Sequence, residues 1–300
     1  LSPDIDRNTL LKVLHQCRIK PMKISVVIPC FNAADTIAEQ LEALVSQSVQ
    51  PWEVIISDNG STDNSIAIAN QYRDRLPRFK VVYATQRKGA SHARNVGAKA
   101  TTGDYLAFCD ADDVVTNTWL EALQTAFKEH NFVASCFDYV KLNGNNVNCS
   151  QTRELQNFRV PFLPFAGGCG LGIKRSLHMA VNGFDEGIRY LEDADYCLRV
   201  QLAGEPLTFV KNAVIYIRCN ARSRQAAFEH GYNWGTGLAL LYKRYRQHGM
   251  VLHGILPRLA VSSVWLLRCL ASGFSCGSTW KMGWHTGVLR GFLQYGIYQI

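Results

Sequence analysis

Three carboxylates fall within four positions at Asp110-Ala111-Asp112-Asp113, directly after the apolar run Tyr105-Leu106-Ala107-Phe108-Cys109. Such a run reads as a buried strand. Acids crowded at its end repel one another and lose hydration, so they need a cation or hydrogen-bond donors. Ligands of open α/β sheets bind at the C-terminal ends of strands, and acids there can hold a divalent ion that neutralises a diphosphate. Taken alone, the same residues also fit a solvated acidic turn before a helix starting near Thr116. A second group, Glu192-Asp193-Ala194-Asp195, puts acids in the first turns of a helix marked by Leu191, Leu198 and Leu202. Acids favour a helix N-terminus with or without chemistry. A third acid, Asp58, ends the run Glu53-Val54-Ile55-Ile56-Ser57 and precedes the turn pair Asn59-Gly60. It can cap the next helix or meet a ligand.

The elements that hold these acids alternate. Lys23 to Pro29 is a β-branched run ending in Pro, hence a strand. Asp35 or Thr36 starts a helix with Ile37, Leu41, Leu44 and Val45 on one face. The strand 53–57 follows, then a helix through Ile66, Ala69 and Tyr72, then a strand from Phe79 to Ala84. Gly89 opens a helix from Ala90 to Ala100, before the strand 105–109. Strand–helix alternation predicts a parallel, right-handed α/β sheet, with Asp58 and Asp110 along one edge. No Gly-x-Gly-x-x-Gly follows the first strand and no Walker loop is present, which disfavours dinucleotide and P-loop readings. Beyond Asp113 the pattern predicts a helix from Trp119 to Glu129 and a strand from Phe132 to Leu142. A hairpin turn at Asn143-Gly144-Asn145-Asn146 and a loop over 150–166 come next. Gly167-Gly168-Cys169-Gly170 either lets backbone approach a ligand or serves as a connector. A strand from Ala213 to Ile217 closes this part.

Three hundred residues, 47% of them hydrophobic, suit one large domain or two smaller ones. The formal charge of +8 favours acidic partners. No dense Lys/Arg run points to nucleic acid. Ten cysteines without a Cys-x-x-Cys pair read as free thiols in a reducing compartment, and no secretory leader pattern is visible.

Taken in order, the motifs resemble glycosyltransferase family 2. They are Ile24-Ser-Val-Val-Ile-Pro-Cys-Phe-Asn32, Ile56-Ser-Asp-Asn-Gly-Ser-Thr-Asp63, Gly89-Ala-Ser-His-Ala-Arg-Asn95, Ala107-Phe-Cys-Asp-Ala-Asp-Asp113, Gly183-Phe-Asp-Glu186 and Glu192-Asp-Ala-Asp195. The resemblance covers about residues 24–215 and implies a GT-A fold: an α/β nucleotide-binding region with an acceptor region. It implies inverting transfer from a nucleotide-diphosphate sugar, with Mn²⁺ or Mg²⁺, to a hydroxyl of a glycan or lipid-linked acceptor. Position by position, it implies that Pro29, Phe31 and Asn32 line the nucleoside pocket and that Asp58 meets the base. Arg94 would sit near the nucleotide. Asp110, with Ala111 beside it, would meet the ribose or a metal-bound water, and Asp112 would ligate the metal. Asp193 would be the general base, with Gly168, Glu192 and Asp195 on the acceptor side. One departure is that relatives place a His after the strand 213–217, where this chain has Arg218-Cys219-Asn220-Ala221-Arg222-Ser223-Arg224. Those arginines either serve the phosphates or form a solvated loop. His230 is a further metal candidate, weighed against a packed or surface His. The rival readings are a nucleotidyltransferase of related form and a non-catalytic nucleotide-sugar scaffold. Intact Asp110, Asp112 and Asp193 oppose the scaffold, and Pro-Cys-Phe-Asn in place of a Gly-rich basic loop opposes the nucleotidyltransferase.

The expected organisation is a helical leader over 1–23, a nucleotide half over 24–115, an acceptor half over 116–225 and a helical tail over 226–300. In the tail Leu252, Ile255, Leu256, Leu259, Leu266, Leu267 and Leu270 share a helical face, while Pro257, Arg258 and Arg268 interrupt any crossing. With Trp265, Trp280, Trp284 and Tyr295, this predicts an in-plane helix on an anionic membrane, at the cytoplasmic face of the plasma membrane. The alternative is packing against protein.

Overall fold

The computed structural model describes residues 22–144, 152, 154–158, 162–219, 223–251, 263–264, 267 and 275–297. The leader helix and most of the leucine face of the tail lie outside the described residues.

The first half follows the alternation. It comprises β1 (Ile24–Cys30), α1 (Ile37–Val45), β2 (Glu53–Asp58), α2 (Ser65–Asn70), β3 (Lys80–Tyr83), α3 (Ala90–Lys99) and β4 (Tyr105–Phe108). The second half adds β5 (Val114–Val115), α4 (Trp119–Ala126), β6 (Phe132–Asp138), β7 (Leu171–Lys174), α5 (Arg175–Ala180), α6 (Glu192–Leu202) and β8 (Thr208–Tyr216). Among the described residues two long helices follow, α7 (Arg224–Tyr245) and α8 (Cys276–Tyr295).

All described strands join one sheet in the order β3-β2-β1-β4-β7-β6-β8-β5. β1 to β4 pair in parallel, as the alternation predicts. β7 runs antiparallel to both β4 and β6, β6 pairs in parallel with β8, and β5 is antiparallel to β8. The fold is thus a mixed α/β sheet covered by helices on both faces. Successive residues of a strand point to opposite faces. Val27, Leu106, Phe108 and Phe132 accordingly enter one core with Leu198 of α6, Leu238 and Tyr242 of α7, and Phe292 of α8. Val26, Ile28, Ala107 and Val133 enter the other with Leu41 of α1 and Leu123 of α4.

β6 stops at Asp138, short of the expected Leu142. Asp138 Oδ1 accepts the N–H groups of Val140 and Lys141 at 2.8 and 3.2 Å, which turns the chain out of the sheet. Asn145 and Asn146 of the expected hairpin turn lie outside the described residues; the N–H of Thr152 donates to the Phe137 carbonyl at 2.8 Å. β8 starts five residues before Ala213 and absorbs an irregularity in its register against β6 between Ser135 and Cys136.

α7 and α8 meet at backbone distance. A Cβ on Gly287 would lie 1.9 Å from the Tyr232 carbonyl oxygen, and one on Gly235 would lie 2.1 Å from that of Trp284. Gly231 and Gly283 are just as tight. Two polar contacts fix the register. Thr236 Oγ1 donates to the Gly287 carbonyl at 3.1 Å, and Trp280 Nε1 donates to His230 Nδ1 at 2.9 Å. His230 is therefore a packed histidine among Trp234 and Trp280, not a metal ligand. Trp280 and Trp284 lie tilted against each other with ring centroids 5.2 Å apart, half-buried along this seam. No helix among the described residues is long and apolar enough to cross a membrane.

Candidate active site

The parallel registers bring the ends of β1, β2 and β4 to one edge, with Cys30 beside Asp58 and Val27 beside Phe108. A cleft of about 450 Å³ opens there, lined by Pro29, Phe31, Asn32, Asn59, Lys88, Asp110, Ala111, Asp112 and Arg218 among others. Phe31 is 54% exposed on its wall, unusual for a large apolar ring. Asn32 adopts φ 48°, a left-handed conformation that Asn tolerates, and Ser61 and Thr62 hold it.

The acid loop is clamped from α1. Gln40 donates from Nε2 to the Asp110 carbonyl at 3.1 Å and accepts the Val115 N–H at 3.0 Å. Gln40 is a functional support that the sequence reading passed over. It was visible as a polar residue in the apolar stripe of Ile37, Leu41 and Leu44. Asn59 was also missed: it donates to the Arg87 carbonyl at 2.8 Å and accepts the Gly89 N–H at 2.7 Å, tying the β3–α3 loop to the cleft.

Arg94, 4% exposed, connects the two acidic motifs. Its Nη2 donates to Asp110 Oδ1 at 2.8 Å, and its Nη1 lies 3.8 Å from Glu192 Oε1. Burial works against the Arg94 charge, yet Asp110 and Glu192 outweigh it and raise the pKa. Gly168 makes room: a Cβ there would sit 2.9 Å from Arg94 Nη1. Asp193 accepts the Ala194 N–H at 2.7 Å and the backbone N–H of Gly168. The chain enters α6 through Leu191 at φ 61°, a costly conformation for a branched residue, held by burial of its side chain. The structure thus brings together Asp110, Arg94, Gly168, Glu192 and Asp193.

Crowding shows in the electrostatics. Burial, then the charge of Asp110, pushes Asp113 up to about 8 and raises Asp112 as well. Glu192 and Asp193 are both raised by burial, Glu192 further by its neighbour Asp193. Donor atoms of Asp110, Asp113 and Cys169 lie within 4.8 Å of one another, close enough to share one cation. Asp112 lines the cleft beside that group.

Two expected site residues stand apart. Asp58 is buried, and its carboxylate accepts the N–H groups of Gly60 and Ser61 at 3.2 and 3.1 Å. Asp195 lies outside the cluster. It is fully buried and accepts from Arg199 at 2.8 Å, Arg244 at 3.0 Å and Tyr245 at 2.7 Å, which fastens α6 to α7. Of the three arginines after β8, Arg218 reaches the cleft, Arg222 lies outside the described residues, and Arg224 opens α7.

The chain resembles known proteins in sequence and in fold. The family model described as glycosyl transferase family 2 matches residues 25–180. An uncharacterized glycosyltransferase, YibD of Escherichia coli (strain K12), is 43% identical over 115 residues, which is 38% of this chain and 33% of that protein. The poly(ribitol-phosphate) beta-glucosyltransferase of Bacillus spizizenii is 35% identical over 136 residues, 44% of this chain and 22% of that protein. Matches to the first three curated relatives span 33% to 53% of their length. The mannosyltransferase PcManGT from Pyrobaculum calidifontis, solved with GDP-Man and Mn²⁺, superposes with a TM-score of 0.63 at 17% identity, covering 96% of this chain and 95% of that one. S. aureus TarS 1–349, solved with UDP-GlcNAc, gives 0.55 at 19% identity and 93% of each chain. At these identities the structural likeness is one of fold.

Proposed function

Because this chain belongs to glycosyl transferase family 2, we propose that it moves a sugar from a nucleotide-diphosphate donor to a hydroxyl of a glycan or lipid-linked acceptor, inverting the anomeric carbon. The observation that carries this reading is Arg94, which joins a donor-side acid, Asp110, to the acceptor-side pair Glu192-Asp193 within one cluster. A separated pair of acidic motifs would not support group transfer.

On the donor side, Pro29, Phe31, Asn32 and Ala111 supply walls and backbone for the nucleoside, and Asp58 closes the end of β2 next to them. The acid set fits Mn²⁺ or Mg²⁺. Carboxylate oxygens of Asp110 and Asp113 converge with the Cys169 thiol, and Asp112 lines the cleft beside them. Asp110, Asp112 and Asp113 would hold the ion, which when bound offsets the charge of the departing diphosphate. On the acceptor side, Asp193 takes the proton of the attacking hydroxyl, and its raised proton affinity suits a base better than an ordinary carboxylate. Attack from the face opposite the diphosphate inverts the centre. The basic balance of the chain further supports a peripheral position on an anionic membrane surface.

Asp193→Asn tests the central assignment. It keeps size but cannot take a proton, so transfer measured over a panel of nucleotide sugars falls about 10²–10⁴-fold. Nucleotide affinity by calorimetry stays near that of the unmodified chain. Near-normal transfer would remove Asp193 as base and leave Glu192.

A further inference from the structure

Lys88 and Arg218 are the basic side chains on the described lining of the cleft. Arg218 is anchored against the acid loop. Its backbone N–H donates to Asp113 Oδ1 at 2.9 Å, and its Nε donates to the Asp112 carbonyl at 3.0 Å. These two bonds fix the root of the guanidinium beside the carboxylates. Its outer nitrogen, Nη2, donates to Glu39 Oε2 of α1 at 2.8 Å. That partner is weakly held: the Glu39 side chain is 53% exposed, and exposed ion pairs contribute about 0–1 kcal/mol. A phosphate offers more charge and two oxygens in the spacing of the guanidinium fork.

We propose that Arg218 is the diphosphate clamp of this cleft: on donor binding it exchanges Glu39 for β-phosphate oxygens and holds them while the sugar leaves. This rests on the donor reading above. In the transfer, the acceptor oxygen bonds to the anomeric carbon as the bond from that carbon to the β-phosphate oxygen breaks. The electron pair of the broken bond stays on the diphosphate, and the hydroxyl proton goes to Asp193. Negative charge therefore grows on the group that Arg218 faces, and its attraction strengthens as the bond breaks. Glu39 is the resting counter-ion, recovering Arg218 once the diphosphate departs.

Calorimetry on the full chain tests this with UDP, GDP, UMP, GMP and inorganic pyrophosphate, each in Mn²⁺ and in chelator. Loss of a charged hydrogen-bond pair should weaken diphosphate and pyrophosphate binding about 10- to 100-fold in Arg218→Ala, in both conditions. The monophosphates, which lack the β-phosphate, are expected to bind as they do to the unmodified chain. Arg218→Lys recovers part of the loss, since a point charge lacks the fork. Glu39→Gln binds diphosphates more tightly, because the competing acceptor has lost its charge. Unchanged diphosphate affinity in Arg218→Ala overturns the clamp and leaves the donor reading standing. An unmodified chain that binds neither diphosphate nor pyrophosphate overturns both. Should Arg218→Ala fail to fold, Glu39→Gln decides alone, and unchanged or weaker diphosphate binding there overturns the clamp.

Discussion

Asp113 shows how much of the site lay outside the reach of sequence. Asp110, Asp112, Glu192 and Asp193 were legible because spacing and motif order mark them. What Asp113 does depends on Arg218, 105 positions away, whose N–H it accepts. Gln40 and Asn59 were hidden for the same reason: their partners lie in other elements. The electrostatics of Asp113 give a pH prediction. Its carboxyl is raised from 3.8 to about 8 by burial and by Asp110, so between those values the folded chain keeps a proton that the unfolded chain releases. The folded state binds more protons there, and its stability falls as pH rises through that window. In chelator, the melting temperature of the unmodified chain should fall relative to Asp113→Asn between pH 5 and pH 8. A cation must displace the same proton, so the stabilisation by Mn²⁺ should be larger at pH 8 than at pH 6. Parallel melting curves for the two chains across this range would remove the assignment.

Among the elements, those marked by apolar runs and periodicity were legible, and β5 and β7 were not. β1 to β4 and their helices follow from apolar runs and periodicity. β5 has only two residues, and β7, with four like β3 and β4, follows a Gly-rich stretch with no strand–helix alternation to announce it. The reversal of β7 between β4 and β6 therefore could not be read, and with it the mixed character of the sheet. The seam between α7 and α8 was in plain view as glycines spaced four apart, but no spacing rule says which helix fills them. It yields a paired prediction. Gly287→Ala forces the Tyr232 carbonyl away and should destabilise by about 1–3 kcal/mol. Gly277→Ala, in the same helix, meets nothing within 4 Å and should stabilise by about 0.5–1 kcal/mol. Thermal or urea unfolding of the two variants checks the signs, and equal effects would show that the helices are not in backbone contact.

For the whole molecule, the matched region and the proposed site do not coincide. The family match ends at residue 180, while Glu192, Asp193 and Arg218 stand beyond it, carried by α6 and the end of β8. α7 and α8 pack into the core of that second half. The net charge of +8 gives the prediction at this scale. The chain should sediment with vesicles containing anionic lipid and not with neutral ones, and raising the salt should release it. No binding to anionic vesicles at low salt would leave the exposed residues of the tail without a membrane role.

The glycine seam also has a genetic consequence. Every change at the first or second base of a glycine codon installs a side chain or a stop, and at Gly231, Gly235, Gly283 and Gly287 any side chain would meet a carbonyl of the facing helix. No conservative replacement exists at those codons. These four positions, far in sequence from the acid loop, therefore tolerate substitution poorly, whereas Gly277 of α8, with nothing within 4 Å, does not share the constraint.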